Sequence, residues 1–375
     1  MAQLLRGGVS VKAIQIFDMD LTLLGEIAHY QSLRLCRKFR EVGDFELVLP
    51  LSHPMVGKLQ RDCILCPAGE MHKAMLIEAV TRDVGRNTLS ATGFTLSGLL
   101  RRRICIPPET DEASYGYDRI VSDAESVMRH YVDGNVVNPL SAARKMDCVV
   151  LERENGMRGM QNVPWSARFE QLDELLFSIG AYCDAGYAIV PDLVEKKLVF
   201  TFLPGRDRTG ADGAARVTFG VHMGNVSSTV ETENALQAKN AAVVGGAGEE
   251  TERLILSVCP GGETGVSRRE MFADAGSVRE VQELAYEGVR RLAPKGIMRS
   301  IGAQVIQTPS CRCGVHWDLG DLVTVIAPGT RMNARITQVQ ESHEAGRAAK
   351  IDVVFGDPAG GIERVIRERT GTSVR

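Results

Sequence analysis

Aromatic residues are scarce: Phe, Trp and Tyr together make up 5% of the 375 residues. That argues against a surface built to stack sugars or bases. Excess charge of either sign is also missing. Lys+Arg 44 against Asp+Glu 47 gives a formal net charge of −3, and a near-neutral chain is a poor general binder of phosphate backbones. No apolar run approaches the roughly 20 residues of a membrane-spanning helix. The opening MAQLLRGGVSVK is too short and too polar for a signal peptide. These absences predict a soluble chain made in the cytoplasm, without a membrane anchor. A disulfide framework is absent too. The nine cysteines are odd in number and scattered, and Cys36, Cys105, Cys183 and Cys259 sit among apolar neighbours. They read as small core residues in a reduced compartment.

What is present is strand. Hydrophobic residues at 44% and charged residues at 24% allow a sizeable core, and the length suits two or three domains. The stretch Val11 to Pro50 reads as four short strands joined by tight turns. Ile14 and Ile16 share a face; Leu33, Leu35 and Phe39 fall on odd positions; Phe45, Leu47 and Leu49 alternate after the Gly43-Asp44 turn. Such period-two patterning marks strands with one buried face. Pro50 ends the ladder because it has no N–H. A meander of this kind needs closure or a partner sheet.

Further on, Met75, Ile77 and Ala79 open a strand. Asp83 to Asn87 forms a hairpin turn, Thr88 to Thr92 returns, and Thr95 to Leu100 is a short helix. Ser122 and Glu125 fit a capping box for a helix carrying Val127, Met128 and Tyr131. A helix from about Ala167 to Asp184 has the stripe Phe169, Leu172, Leu175, Leu176 and Ile179. Cys148 to Leu151, Tyr187 to Val190 and Lys197 to Leu203 read as strands. Later strands are expected at Val226 to Val230, Leu236 to Val244 and Arg253 to Val258. Ser277 and Glu280 form a second capping box, and its helix ends at Pro294. Four strands close the chain: Ile297 to Ile306, Asp321 to Ala327, Arg331 to Gln340 and Ala349 to Phe355. The tail to Arg375 reads as frayed.

Candidates for chemistry are few. Cys63 and Cys66 have metal-ligand spacing, and Cys311 and Cys313 with His316 could complete a four-ligand set. The second pair is CxC, however, where a zinc ribbon shows two CxxC knuckles. Arg101, Arg102 and Arg103 read as a solvated helix end before they read as a phosphate site. Asp207, between Arg206 and Arg208, reads as an exposed turn. The run Gly245-Gly246-Ala247-Gly248 is followed by Glu249 and Glu250, where a P-loop needs Lys-Ser/Thr. Among His29, His53, His72, His130, His222 and His343 no catalytic motif is visible, and no GxSxG elbow is present. The expectation is therefore no catalytic, cofactor or metal residue.

Several pieces, taken in order, carry a resemblance. They are FDMDLTLLGEI, SLRLCRKFREVGDFELVLP, SATGFTLSGLLRRR, FLPGRDRT, VTFG with GNV, KNAAVVGGAG, GVSRREMFADA, VREVQELA, and DLGDLVTVIAPG with ARITQVQES and KIDVVFG. Together they resemble the hub protein at the tail tip or baseplate of tailed phages and of phage-derived injection particles. The resemblance implies an α+β, strand-rich fold with two small β-barrel, tube-like domains and a mixed helical part. It implies a homotrimer whose six barrels form a ring in the virion tail, adapting a sixfold tube to threefold tip parts. The implied partners are the tail tube or distal tail protein, the tape-measure protein, and tip, fibre or spike proteins, with transient passage of DNA. A mildly acidic lining would reduce sticking of that DNA. The implied division is 1–104 for the first barrel, 105–198 for a connecting domain, 199–258 with 297–358 for the second barrel, 259–296 for a helical insertion and 359–375 for a flexible tail. The alternatives are a cell-wall hydrolase and a receptor- or carbohydrate-binding tail protein. The first needs a catalytic constellation and the second is disfavoured by the low aromatic content.

Overall fold

The structure, a computed structural model, describes residues 13–108, 116–153, 162–211, 215–276 and 278–356. Val11, segments 109–115 and 154–161, the Ser277 cap and the tail after Gly356 lie outside the described residues.

The four expected strands are present as β1 (Ile14–Phe17), β2 (Leu23–Ile27), β3 (Ser32–Lys38) and β4 (Asp44–Pro50), but they do not form the expected meander: β1 pairs with β2 and β3 with β4, and the two pairs lie apart in the sheet. Next come β5 (Ile64–Pro67), β6 (Met75–Asp83) and β7 (Thr88–Thr95). A connecting part holds β8 (Asp118–Ser122), α1 (Ala124–Val132), β9 (Val149–Leu151), β10 (Val163–Ala167), α2 (Leu172–Cys183), β11 (Gly186–Asp192) and β12 (Lys197–Leu203). The chain continues through β13 (Thr218–Gly220), β14 (Val226–Asn234), β15 (Ala241–Gly245), β16 (Ile255–Val258), β17 (Glu270–Asp274) and α3 (Val281–Leu292). It finishes with β18 (Met298–Val305), β19 (Leu322–Ala327), β20 (Thr330–Glu344) and β21 (Lys350–Gly356).

Thirteen strands make one sheet. Its order is β14-β18-β21-β20-β3-β4-β7-β6-β5-β1-β2, with β19 on β20 and β13 on β19. The N-terminal seven strands curl over one core, in which Ile14 and Ile16 of β1 meet Leu33 and Leu35 of β3 and Phe45 and Leu47 of β4. The C-terminal six curl over another, built on Phe219, Val226, Trp317, Val323, Ile336 and Phe355. The pair β3·β20 joins the two sets edge to edge. Behind the first set, Phe17, Ile64 and Leu76 pack with Leu96, Tyr131, Leu175 and Phe200 of the connecting part. This explains why all of β5 is buried: it has apolar cores on both faces. β15, β16 and β17 form a separate small sheet under α3 with its own core.

The strand-rich class holds, but neither set is closed by a ladder among the described residues, so the two expected barrels are not seen as closed barrels. The second set comes close to closure. Its end strands β13 and β14 are joined by the Asn225 side chain. Asn225 Oδ1 accepts from Gly220 N at 3.0 Å and Nδ2 donates to Thr218 O at 2.8 Å. One amide thus stands in for the missing ladder bonds.

Several elements differ from the sequence reading for local reasons. The first helix is capped by Asp123, which accepts from Ser126 N, and not by Ser122, which the β8·β10 ladder holds opposite Val163. α2 starts at Leu172. Phe169, expected in its stripe, is 45% exposed with φ 60°, because 163–167 are taken by β10 and Phe169 N bonds Cys105 O. α3 starts at Val281, so Val278 precedes it. Val199 to Leu203, grouped by the sequence reading with the second barrel, belong to β12, which pairs with β11 and β9.

Asn225→Ala should lower stability by about 2–3 kcal/mol in denaturant titration, since two backbone groups, of Gly220 and Thr218, lose their partner.

Candidate functional site

The inward row of β3 runs Leu33, Leu35, Arg37, and the third member is a charge. Arg37 is only 6% exposed. β20 lies antiparallel to it with Val339 opposite Arg37, Glu341 opposite Leu35 and His343 opposite Leu33. Opposed residues share a face, so the two cores meet along a row that changes from apolar to ionic at their boundary. Lys73 enters from the 3-10 turn Met71–Lys73 that leads into β6, and Asp318 from the loop before β19.

The charges compensate one another. Lys73 Nζ bonds Glu341 Oε2 at 2.8 Å and lies 3.2 Å from Glu70. Arg37 Nη2 bonds Asp318 Oδ1 at 2.9 Å and stands 3.9 Å from Glu341. Asp318 Oδ1 also accepts from Leu319 N at 2.7 Å. A cavity of about 120 Å³ beside the cluster is lined by Tyr30, Lys73, Cys313, Glu341, His343 and Ile351 among others.

These contacts set the titration. Burial works against ionising Glu341, but the His343 contact and the Lys73 and Arg37 cations outweigh it and hold the carboxyl down at about 2. Asp318 is lowered against burial chiefly by Arg37. Burial, with Arg37 next, lowers His72. Burial raises the Cys313 thiol to about 12 and the Tyr30 phenol to about 12. A general acid or base works best with a pKa near the operating pH. Glu341 is held far from neutrality and clamped between cations, an arrangement suited to joining elements.

A second knot lies on the outer side of the same junction. Phe39, fully buried, donates its N–H to Thr337 O and accepts from Tyr187 N. Asp184, at the left-handed C-cap of α2, pairs with both Arg40 and Arg335. Gly320 has φ 88°, and a Cβ there would meet the Phe39 ring at 2.4 Å. The connecting part is thus fastened to both strand sets at one point.

The sequence candidates are dispersed. Cys63 belongs to the first core, Cys66 to the connecting core and Cys311 to the second core. Their sulfurs face Lys58 O, the Glu70 carbonyl and Asn225. Among the described residues no three metal-ligating side chains converge. Asp207 is exposed and its Oδ1 accepts from Thr209 N at 2.7 Å, closing a local turn. Arg253 bonds the carbonyls of Gly245 and Gly246, which fixes the glycine run as a turn. His130 pairs with Asp118 at 2.8 Å, and His53 accepts from Met55 N. The sequence reading missed Arg37, Lys73, Asp318 and Glu341. The available signal was an arginine at an inward position of β3 and a glutamate at an inward position of β20.

A family profile described as Siphovirus ReqiPepy6 Gp37-like protein matches residues 13–357. Comparison with curated proteins gives no match. Among solved structures, the fold is similar to the 43 kDa tail protein of prophage MuSo2 from Shewanella oneidensis, with TM-score 0.56, 14% identity, and 92% of this chain and 98% of that one covered. It is similar to the tail protein from Neisseria meningitidis MC58, with TM-score 0.54, 13% identity, and 92% and 96% covered. It is also similar to prophage tail protein gp18 from Listeria monocytogenes EGD-e, with TM-score 0.51, 11% identity, and 96% and 98% covered. At these identities the likeness is one of fold.

Because its folded pKa lies below its unfolded one, Glu341 contributes its stability fully above about pH 4.5 and loses it as pH falls towards 2. Wild type should therefore lose about 3 kcal/mol from this group alone over that interval. Glu341→Gln should cost about 3 kcal/mol at pH 7, because buried Lys73 keeps only Glu70 as a counter-charge and Arg37 loses one of its two carboxylates. It should also flatten the acid limb, as read by thermal melts from pH 7 to 3.

Proposed function

The chain belongs to the Siphovirus ReqiPepy6 Gp37-like family, and from that premise we propose that it is a structural hub subunit at a phage tail tip. One observation carries the reading: two curled strand sets, each over its own core, stand side by side in one continuous sheet through β3·β20. A ring of identical copies repeats one contact around its axis. A chain that presents two similar modules gives six from three copies. Three such copies could meet a sixfold tube on one side and threefold parts on the other.

The ends of the sheet support a route to closure. β14 and β2 are its terminal strands, each paired on one side among the described residues. Open edges are sites for pairing with another chain. Head-to-tail docking of β2 on β14 of the next copy would continue within the ring the kind of edge contact that β3·β20 makes within the chain. The relatives of similar fold are named as tail proteins, which agrees with a place in the virion tail. Tube, tape-measure and tip proteins are the partners this reading assigns. Its contribution is mechanical, resting on contacts held in fixed geometry.

Light scattering with imaging of the purified chain tests the proposal. The expected result is a species of three times the chain mass with six similar densities around a central opening. A monomer at every concentration, or a ring of another multiplicity, would overturn it. Val230→Lys, at the exposed middle of β14, should leave a folded monomer, because a lysine on an edge strand disfavours pairing with another chain.

A further inference from the structure

The arginine run closes on a second arginine from far along the chain. Arg101, Arg102 and Arg103 end the 3-10 turn after β7, and Arg144 ends another 3-10 turn before β9. All four line one recess of about 320 Å³, together with Ile104, Ala143 and Gln171.

The four are not equivalent. Arg101 pairs with Asp173 at 3.2 Å and lies over the Phe94 ring. Arg102 pairs with Asp62 and Glu78, each at 2.7 Å. Arg103 and Arg144 have no carboxylate partner among the described residues. Both are pinned by carbonyl oxygens instead. Arg103 Nε donates to Arg144 O at 2.8 Å and Nη1 to Arg102 O at 2.9 Å; Arg144 Nη2 donates to Ile104 O at 2.5 Å and reaches Asn135 Oδ1 at 3.3 Å. Burial lowers both guanidinium pKa values, helped by Arg102 beside Arg103 and by Arg103 beside Arg144. Two half-buried cations are therefore held together with the ordering of their side chains already completed. Such preorganisation favours an incoming anion. A planar fork matches a carboxylate best.

We propose that this recess is a docking site for a carboxylate-bearing peptide segment of a partner chain. The rim decides between a peptide and a nucleic acid. Asp62, Glu78 and Asp173 sit around the arginines and repel a continuous polyanion running across them. One acidic side chain or chain terminus, inserted between Arg103 and Arg144, meets two free cations and avoids the rim. The near-neutral net charge of the chain points the same way. This site stands on its own residues and does not depend on the hub assembly.

Fluorescence anisotropy with a fluorescein-labelled, C-terminally amidated Gly-Ser peptide carrying a single glutamate tests it on the full chain. Wild type should bind, and Arg103→Gln with Arg144→Gln should weaken binding at least about tenfold. Arg86→Gln, at the exposed β6–β7 turn, should leave it unchanged. Ala143→Glu places a carboxylate on the recess wall and should block binding while leaving both arginines in place, so the test survives if the double variant fails to fold. A single-stranded oligonucleotide should compete poorly. Absence of peptide binding to wild type, equal binding by the double variant and Ala143→Glu, or stronger competition by the oligonucleotide would overturn the proposal.

Discussion

Two buried cations meet carboxylates, Glu341 buried and Asp318 partly exposed, where two apolar cores join, and the geometry of the chain follows from how they pair. Arg37 and Lys73 belong to the first strand set; Asp318 and Glu341 belong to the second. Each set alone would leave its charges facing an apolar interior, at a cost of several kcal/mol per ion. Joined, they satisfy one another. The pairing also fixes register. A slip of β20 by one residue against β3 would turn Glu341 and His343 to the other face and leave Lys73 only the local Glu70 carboxylate. A hydrophobic seam would tolerate such a slip more readily. Relative to a well-packed hydrophobic seam, the ionic one therefore adds little stability and much definition of how the two modules sit.

The outer knot extends that definition to the connecting part. Phe39 has one backbone bond to β20 and one to β11, and Asp184 ties α2 to Arg40 on the first set and Arg335 on the second. Gly320 lets the loop approach the Phe39 ring where a side chain would collide. Three bodies meet at one residue. In the hub role proposed above, which needs two modules at a set spacing, this junction matters more than the stability of either core.

The first strands were legible because their apolar residues alternate and their turns carry Gly and Asp. The last four strands were legible for the same reason. β5 was hidden, since its Ile64-Leu65 core lies inside a cysteine spacing that suggests a metal knuckle, and a strand buried on both faces shows no alternation. The start of α2 was misplaced because Phe169 continues the helical stripe in sequence while a tertiary bond to Cys105 holds it outside the helix. The ionic seam was not legible as a unit, because Lys73 and Glu341 are separated by most of the chain. An inward arginine in β3 showed that something polar had to meet it, but not what. The link that the Asn225 side chain makes from the start of β14 to β13 leaves no periodic trace at all.

Native-state hydrogen exchange on the amides of the β3·β20 ladder tests the central claim most directly. If the buried charges lock the two strand sets into one body, these amides exchange only with global unfolding, together with the β4·β7 and β18·β21 amides. Exchange of the β3·β20 amides through a lower-energy opening that leaves both cores protected would contradict it, showing two modules that merely touch.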